Sequence, residues 1–288
     1  MQAQGLQSWY PMERLSVMGL VEVLRHLPEL LRIRKDLVKR WLTIPPDIFI
    51  GVDAPDFNLG LEAKLKKAGI PTVHYVCPTI WAWRENRVKK IKKAVNLVLS
   101  IFPFEVPLLA SHRVKAHYAG HPLAQALKAV PDQKDTQKKL DLDTEKLVLG
   151  FLPGSRMSEV TRLTDDFLEA ARILKRKLPD LQVIAPMATP AIYQYVQSRI
   201  SEHSLNDIKL LDGQSRDVMA ASDVLLTASG TATLEIMLYK KPMVVAYKVH
   251  WLSYFIFIKL GLLKTRYFAM PNILAGKSVV PELMQDEC

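Results

Sequence analysis

Two strand-to-helix junctions constrain the fold of this chain more than any other feature of its sequence. The aliphatic run at 147–151 leads into LPGSR at 152–156, and the run at 224–226 leads into ASGTATLE at 228–235. Each run is typical of a buried strand, and each turn opens a helical pattern. Small residues between strand and helix leave free N–H groups at the positive end of the helix dipole. The junctions therefore favour an anionic ligand.

Side chains in the two turns sharpen this prediction. Arg156 supplies a planar guanidinium suited to phosphate oxygens. Glu235 lies about one turn into its predicted helix, where its carboxylate can accept hydrogen bonds from sugar hydroxyls. The combination suggests a nucleotide diphosphate held between loops, although Glu235 could also be an ordinary first-turn acid. The sequence has neither a GxGxxG fingerprint nor a GxxxxGK[ST] phosphate loop.

Strand and helix patterns alternate along the rest of the chain, which predicts parallel sheets of the α/β class. The predicted strands lie at 48–52, 72–76, 96–101, 147–151, 181–185, 209–211, 224–226 and 243–247. The strand at 48–52 is predicted to be buried, and a short helix is predicted at 62–68. A polar, strand-free segment at 128–145 has the composition of a linker. We therefore predict two Rossmann-like domains, at 1–130 and 131–288, which the chain length permits.

The formal net charge of +10 suits nucleic acid, an anionic membrane surface or a phosphorylated substrate. Basic residues are dense at 21–41 and 84–93, and the first segment also carries an apolar cluster. That cluster comprises Val21, Val23, Leu24, Leu27, Leu30 and Leu31. The pattern predicts a helix in a membrane interface, with a core-facing helix as the alternative. Pro28 is predicted in the first turn of a second helix. Nucleic acid is disfavoured because no binding motif occurs.

Two cysteines, Cys77 and Cys288, give neither a disulfide framework nor a metal-ligand spacing, so a reducing compartment and no metal or cofactor are predicted. Cys77 is predicted to be a core or site-wall residue rather than a nucleophile. No apolar run is long enough to span a bilayer. The longest, at 251–263, is predicted to be a buried or interfacial helix.

Asp53 follows the predicted strand at 48–52, and ligands of open α/β sheets bind beyond the carboxyl ends of strands. Asp53 and Asp56 are therefore candidates for a general base, with a helix cap as the alternative for Asp53. The loop after the next strand could wall a sugar-phosphate site through Trp81, Trp83 and Arg84. His121 is a candidate ligand contact or a structural histidine.

A set of motifs, in order along nearly the whole chain, resembles the lipid-A-disaccharide synthase family. The motifs are PDIFIGVDAPDFN, HYVCPTIWAWR, LPGSR, DGQSRDVMAASD, ASGTATLE and MPNILAGKSVVPELMQ. The resemblance implies a GT-B glycosyltransferase, metal-independent and inverting, on the inner face of the bacterial inner membrane. Its substrates would be UDP-2,3-diacylglucosamine and 2,3-diacylglucosamine 1-phosphate, with UDP released. It also implies contact with anionic lipids, and a homodimer for the full-length protein.

Individual roles follow from the resemblance by position. Asp53 matches the family's proposed general base, and Arg156 matches the arginine that contacts the UDP diphosphate. The other residues implied near the nucleotide are Ser155, Ser229, Gly230, Thr231, Glu235 and Asn272. Trp83, Arg84 and His121 are assigned to the acceptor side from their own positions, and the resemblance matches 21–41 to a membrane-docking region.

Members of the resembled family begin earlier, with a strand and a GEASGD-like loop, and continue beyond the position of Cys288. We therefore expect an incomplete N-terminal domain, a missing C-terminal part, and little activity from this chain alone. The alternatives are a non-catalytic membrane- or UDP-binding fragment and another UDP-sugar glycosyltransferase.

Overall fold

The computed structural model describes residues 20–81, 86–127, 130–248 and 265–288, together with residues 5 and 8–10, and the side chains of the first helix from Leu27 onward. The chain divides into two compact units, Met1–His121 and Pro122–Cys288. Each unit has its own all-parallel sheet flanked by helices. The predicted α/β class is confirmed. The predicted domain limits at 130 and 131 remain a prediction, since the contacts divide the chain after His121.

The first unit has four strands in the order β1-β2-β3-β4, all parallel. Its described elements are α1 (Leu20–Thr43), β1 (Phe49–Val52), α2 (Pro55–Lys67), β2 (Thr72–Tyr75), α3 (Arg87–Ala94), β3 (Leu97–Ser100), α4 (Glu105–Ser111) and β4 (Ala116–Tyr118). Helices connect successive strands because parallel neighbours require a crossover. The sequence did not predict β4, whose three residues Ala-His-Tyr carry no aliphatic run.

Three sequence-based predictions for this unit are wrong in detail. Pro28 lies inside the single helix α1 instead of starting a second helix. Helix α2 begins at Pro55, well before the predicted start at 62, because proline suits the first helical position and Asp56 the first turn. Strand β1 is not buried: Ile50 is 52% and Val52 42% exposed. Within the described residues β1 pairs only with β2, which leaves it at the edge of its sheet.

The second unit has six strands in the order β10-β9-β8-β5-β6-β7, again all parallel. Its described elements are α5 (Pro122–Ala126), α6 (Gln133–Lys139), β5 (Val148–Leu152), α7 (Met157–Lys177), β6 (Gln182–Met187), α8 (Pro190–Glu202), β7 (Lys209–Asp212), α9 (Ser215–Ala221), β8 (Val224–Ala228), α10 (Thr231–Leu238), β9 (Met243–Tyr247), α11 (Met270–Ala275), β10 (Glu282–Met284) and a 3₁₀ turn (Gln285–Glu287). Strand β5 is buried at every position. The chain runs from β5 to one side of the sheet and then from β8 to the other, so a topological switch point lies between these two strands.

The polar segment predicted as a linker contains helix α6. Asp132 caps it by accepting a hydrogen bond from the Asp135 N–H at 3.0 Å. Gln137 is buried and donates to the Ala221 carbonyl at 2.9 Å, which fixes α6 against α9. The apolar run predicted as a helix at 251–263 lies outside the described residues. No helix in the described part of the chain is both long and apolar enough to cross a membrane.

Candidate functional site

A cleft of about 420 Å³ lies at the carboxyl edge of the six-stranded sheet, at the switch point between β5 and β8. Turns that follow β5, β6, β7 and β8 contribute to it, and its apolar wall includes Leu152, Met187 and Met219. Six predicted nucleotide-binding residues line the cleft: Ser155, Arg156, Ser229, Gly230, Thr231 and Glu235. The structure therefore brings together residues that are more than seventy positions apart in the sequence. An apolar wall beside polar turns suits a flat base joined to an anionic group.

The turn between β5 and α7 is held by Glu159, to which the sequence analysis gave no role. Arg156 Nη1 donates to Glu159 Oε1 at 2.8 Å, and the Ser155 N–H donates to Glu159 Oε2 at 3.3 Å. Gly154 has φ +123, and a Cβ there would lie 2.7 Å from Glu159 atoms. Glycine is required by the conformation and by the close approach. The capping-box position of Glu159, third in its helix, was the signal available in the sequence.

The turn between β8 and α10 is also built around a glycine. Gly230 has φ +151, which side chains rarely adopt, and its carbonyl accepts from Thr233 Oγ1 at 2.8 Å. Ser229 Oγ donates to the Phe268 carbonyl at 2.9 Å, and Thr233 Oγ1 accepts from the Met270 N–H at 3.1 Å. The two hydroxyl groups therefore tie this turn to the segment that leads into α11.

Glu235 lies in the cleft with a cationic neighbour that the sequence did not reveal. Its Oε2 is 3.7 Å from Arg216 Nε, and Arg216 is on α9. Gly213 and Gln214 precede α9 in left-handed conformations, with φ +65 and +55. The Glu235 side chain therefore lies between a cation and the cleft, and a carboxylate in this place can accept hydrogen bonds from hydroxyls.

Asn272 does not line the cleft. Its Nδ2 donates to the Val280 carbonyl at 2.9 Å and to Glu282 Oε1 at 2.7 Å, and its Oδ1 accepts from the N–H groups of Val279 and Val280. Two donors and two acceptor positions are the full capacity of an amide side chain. The geometry gives Asn272 a structural role, in closing the loop before β10, and lends no support to the predicted nucleotide contact.

At the carboxyl edge of the four-stranded sheet, Asp53 is exposed and directly follows β1. Its φ is +50 and that of Ala54 is +42, so two consecutive non-glycine residues are left-handed. Ala54, not Asp53, is the N-cap of α2 and makes no side-chain cap bond, which removes the capping alternative for Asp53. Asn58 Nδ2 donates to the Asp53 carbonyl at 2.8 Å and holds the turn. Strained non-glycine residues of this kind cluster at functional sites.

Asp56, the other candidate base, makes an ion pair. Its Oδ1 lies 2.7 Å from Arg87 Nη2, with the arginine largely buried and the carboxylate exposed. Arg87 therefore already engages one oxygen of the Asp56 carboxylate.

Beneath β1, a buried Glu–His pair leaves no room for a side chain at Gly51. Glu62 Oε1 lies 2.7 Å from His74 Nδ1, with both side chains fully buried. A Cβ on Gly51 would approach Glu62 Oε1 to 2.1 Å. The remaining polar atoms of the pair, Glu62 Oε2 and His74 Nε2, have no hydrogen-bond partner among the described residues. The pair links α2 to β2 and so fixes the position of α2, the helix that begins directly after the Asp53–Ala54 turn.

A buried carboxylate lies beyond β3. Glu105 accepts hydrogen bonds from Trp81 Nε1 at 3.1 Å, from Ser100 Oγ and from the Phe102 N–H. Burial raises its pKa above the ordinary range despite these bonds.

Two further residues lie in this part of the first unit. Burial, with a contribution from Glu105, also raises the pKa of the Cys77 thiol, which fits a wall residue and not a nucleophile. The half-buried His121 ring lies 5.5 Å from the ring of Phe102.

Some predicted site residues cannot be located. Trp83 and Arg84 lie outside the described residues, as do the side chains of Val21, Val23 and Leu24. Of the remaining predicted membrane residues, Leu27 and Leu31 are 39% and 44% exposed, and Leu30 is half-buried. Across the described ranges, no group of three or more His, Cys, Asp or Glu side chains could hold a metal ion.

Two parallel α/β units, one with a cleft at its switch point, define the class as GT-B-fold proteins. Solved structures agree on the fold. UDP-GlcNAc 2-epimerase from Neisseria meningitidis, bound to UDP-GlcNAc, is 15% identical with a TM-score of 0.61, over 96% of this chain and 75% of that one. An S. aureus MnaA–UDP co-structure is 16% identical with a TM-score of 0.54, over 86% and 69%.

The family is established by sequence. The model described as lipid-A-disaccharide synthetase matches residues 1–288. Lipid-A-disaccharide synthase from Xanthomonas campestris pv. campestris (strain 8004) is 51% identical over all of this chain and 66% of its own length. That from Dechloromonas aromatica (strain RCB) is 48% identical, over all of this chain and 75% of its own length. The chain belongs to the lipid-A-disaccharide synthetase family, and it spans about two thirds of the Xanthomonas relative.

Proposed function

We propose that the whole protein is an inverting glycosyltransferase of lipid A biosynthesis. It condenses UDP-2,3-diacylglucosamine with 2,3-diacylglucosamine 1-phosphate to give the disaccharide 1-phosphate and UDP. The observation that carries this proposal is the cleft at the switch point, which six predicted nucleotide residues line. Family membership supports a glycosyltransferase role in lipid A biosynthesis, and the cleft offers a site of suitable chemistry for the donor.

In the proposed mechanism the second unit holds the nucleotide of the donor. Arg156 and the free N–H groups at the start of α7 and α10 stabilise the charge that grows on departing UDP. Glu159 already occupies the guanidinium and the Ser155 N–H. A bound diphosphate must therefore either share these donors with Glu159 or displace its carboxylate from them. The Arg156 guanidinium is the group that moves between the carboxylate and the diphosphate. Glu235 accepts hydrogen bonds from the ribose hydroxyls.

Asp53 is assigned as the general base. It accepts the proton of the acceptor 6-hydroxyl as that oxygen attacks the anomeric carbon, while the bond to UDP breaks on the opposite face. The exposed carboxylate makes no hydrogen bond or ion pair with other described residues, and the strained Asp53–Ala54 turn fixes its backbone. The acyl chains remain partly in the bilayer, with Leu27 and Leu31 of α1 in peripheral contact with the cytoplasmic face of the inner membrane.

The test is a turnover assay with radiolabelled acceptor and UDP-linked donor. It uses a length of the protein that is catalytically active. Asp53→Asn should lower the rate by about 10²–10⁴-fold and leave the affinity for UDP nearly unchanged. Asp56→Asn is the matched control, because it removes a neighbouring carboxylate that already has a cationic partner. A rate preserved in the first variant and lost in the second would transfer the role to Asp56. Binding of UDP and vesicles with no turnover at any length would favour a binding-only protein.

A further inference from the structure

A second concave surface, within the first unit, has no assigned role. It is a groove of about 350 Å³ between α1, α2 and α3. Its floor is apolar and is formed by Pro55, Leu59, Gly60 and Ala63 of α2, while charged side chains form the walls. This groove is separate from the nucleotide cleft, which consists only of residues of the second unit.

Among the described residues, the walls of the groove carry four cations and one acid. Arg34 comes from α1; Arg87, Lys90 and Lys93 come from α3; the acid is Asp56, which pairs with Arg87. The Arg34 guanidinium lies against the backbone of Gly60, where a Cβ would approach its Nη1 to 2.7 Å. The glycine therefore leaves room for this guanidinium.

Most of the net charge of the chain belongs to the unit that carries this groove. Residues 1–121 contain 18 Lys and Arg against 10 Asp and Glu, so +8 of the net +10 belongs to the first unit. Helix α3 alone holds five cations in eight residues and no acid. A surface on which cations outnumber acids in this way attracts anionic ligands.

We propose that this groove binds the phosphate group of an anionic phospholipid at the membrane surface. The apolar floor distinguishes it from a site for free phosphate, which would be lined by N–H and hydroxyl donors. Leu27 and Leu31, both exposed, precede Arg34 by seven and three residues, so the three side chains share one face of α1. Exposed leucines beside a cationic groove match the apolar and anionic parts of one lipid layer. None of the described residues that line the groove is aromatic, so they offer no ring on which a nucleic-acid base could stack.

The inference rests on the proposed peripheral membrane contact and adds the headgroup site to it. The test variant is Arg34→Gln/Lys90→Gln/Lys93→Gln. The matched control is Lys64→Gln/Lys67→Gln/Lys89→Gln, which removes three exposed charges from α2 and α3 without touching the groove. Both variants are checked for unchanged thermal unfolding, and binding is measured by co-sedimentation with phosphatidylcholine vesicles with and without phosphatidylglycerol.

The groove variant should bind phosphatidylglycerol vesicles about a hundredfold more weakly than the unaltered chain, as expected for three cations at a membrane surface. The control should lose less than about tenfold, because its charges act only through the diffuse field. Equal losses in the two variants, or no loss in the groove variant, would overturn the proposal.

Three other measurements distinguish the proposed phospholipid site from a free-phosphate site, from an RNA site and from a membrane contact without a headgroup site. Calorimetric titration with inorganic phosphate at constant ionic strength should show no saturable binding, and binding that the groove variant loses would make this a free-phosphate site instead. Tighter binding of single-stranded RNA than of vesicles through the same residues would also refute the lipid assignment. Release from vesicles by Leu27→Gln/Leu31→Gln but not by the groove variant would leave the membrane contact standing and remove the headgroup site.

Discussion

The turns at the carboxyl edges of the two sheets both contain left-handed backbone conformations, but the two edges place different types of residue there. At the nucleotide cleft of the second unit, glycines occupy three left-handed turn positions, Gly154, Gly213 and Gly230, and Gln214 is the exception without a glycine. At the corresponding edge of the first unit, the left-handed positions after β1 and β2 are occupied by Asp53, Ala54 and Val76. The first arrangement costs little, whereas a left-handed residue with a Cβ costs roughly 1–2 kcal/mol.

This difference indicates whether the backbone or a side chain acts on the ligand at each edge. Glycine turns expose backbone N–H groups and allow a ligand to approach the main chain, which suits a nucleotide diphosphate. Strained non-glycine turns retain a side chain at the position of the bend, which suits a carboxylate that must be presented at a fixed place. The first unit obtains the stability to hold that strain from buried contacts beneath the turn.

The largest expected effect on stability concerns those buried contacts. Gly51→Ala should lower the free energy of unfolding by about 2–4 kcal/mol, because the new Cβ collides with a buried carboxylate bonded to His74. Chemical denaturation followed by circular dichroism measures the change. Gly60→Ala is the control, since its Cβ meets only the flexible end of Arg34. Equal costs in the two variants would show that the Glu62–His74 pair does not constrain β1.

The next prediction concerns the nucleotide cleft of the second unit and tests Arg156, the cationic side chain in the turn after β5. Arg156→Ala should weaken UDP binding by about 1.5–3 kcal/mol, because a charge-assisted contact with the diphosphate is lost. Isothermal titration with UDP gives the affinity. Arg162→Ala, on the same helix but outside the cleft, should bind UDP normally. If Arg156→Ala also binds normally, the backbone alone holds the nucleotide and the contrast between the edges becomes sharper.

A smaller effect is expected from Glu105 and depends on pH. Its pKa is raised in the folded protein, so the folded state holds a proton that the unfolded state releases near pH 4.5. The stability from this group is therefore present below pH 4.5 and is lost as the pH rises through the raised pKa. The difference in unfolding free energy between the unaltered chain and Glu105→Gln should shrink as the pH rises. A difference that stays constant with pH would contradict a raised pKa.

The sequence predicted those parts of the molecule that depend on local pattern. Aliphatic runs located most strands, and small residues located the turns of the cleft, because both signals are contained in a few neighbouring residues. Helix α6 was missed because its sequence, QKDTQKK, has no apolar face, and side-chain hydrogen bonds such as Gln137 to Ala221 hold it in place.

The same reasoning explains which site residues were missed. Glu159, Arg216 and Asn58 act through partners, and a partner becomes visible only when the chain is folded. Asn272 shows the opposite case: a motif predicted a ligand contact, whereas the hydrogen bonds of its amide in the structure all go to Val279, Val280 and Glu282, so the ligand contact stays a prediction.

The two cysteines allow the rate of opening to be compared between the two units. Cys77 lies in the first unit, buried near Glu105, and Cys288 lies in the second, half-buried with its Sγ 3.4 Å from the Leu283 carbonyl. Burial raises the pKa of both thiols, so each should react with an alkylating reagent only when its surroundings open. Pulsed alkylation read by peptide mass would then time the opening of each unit separately within one intact chain, without any introduced label.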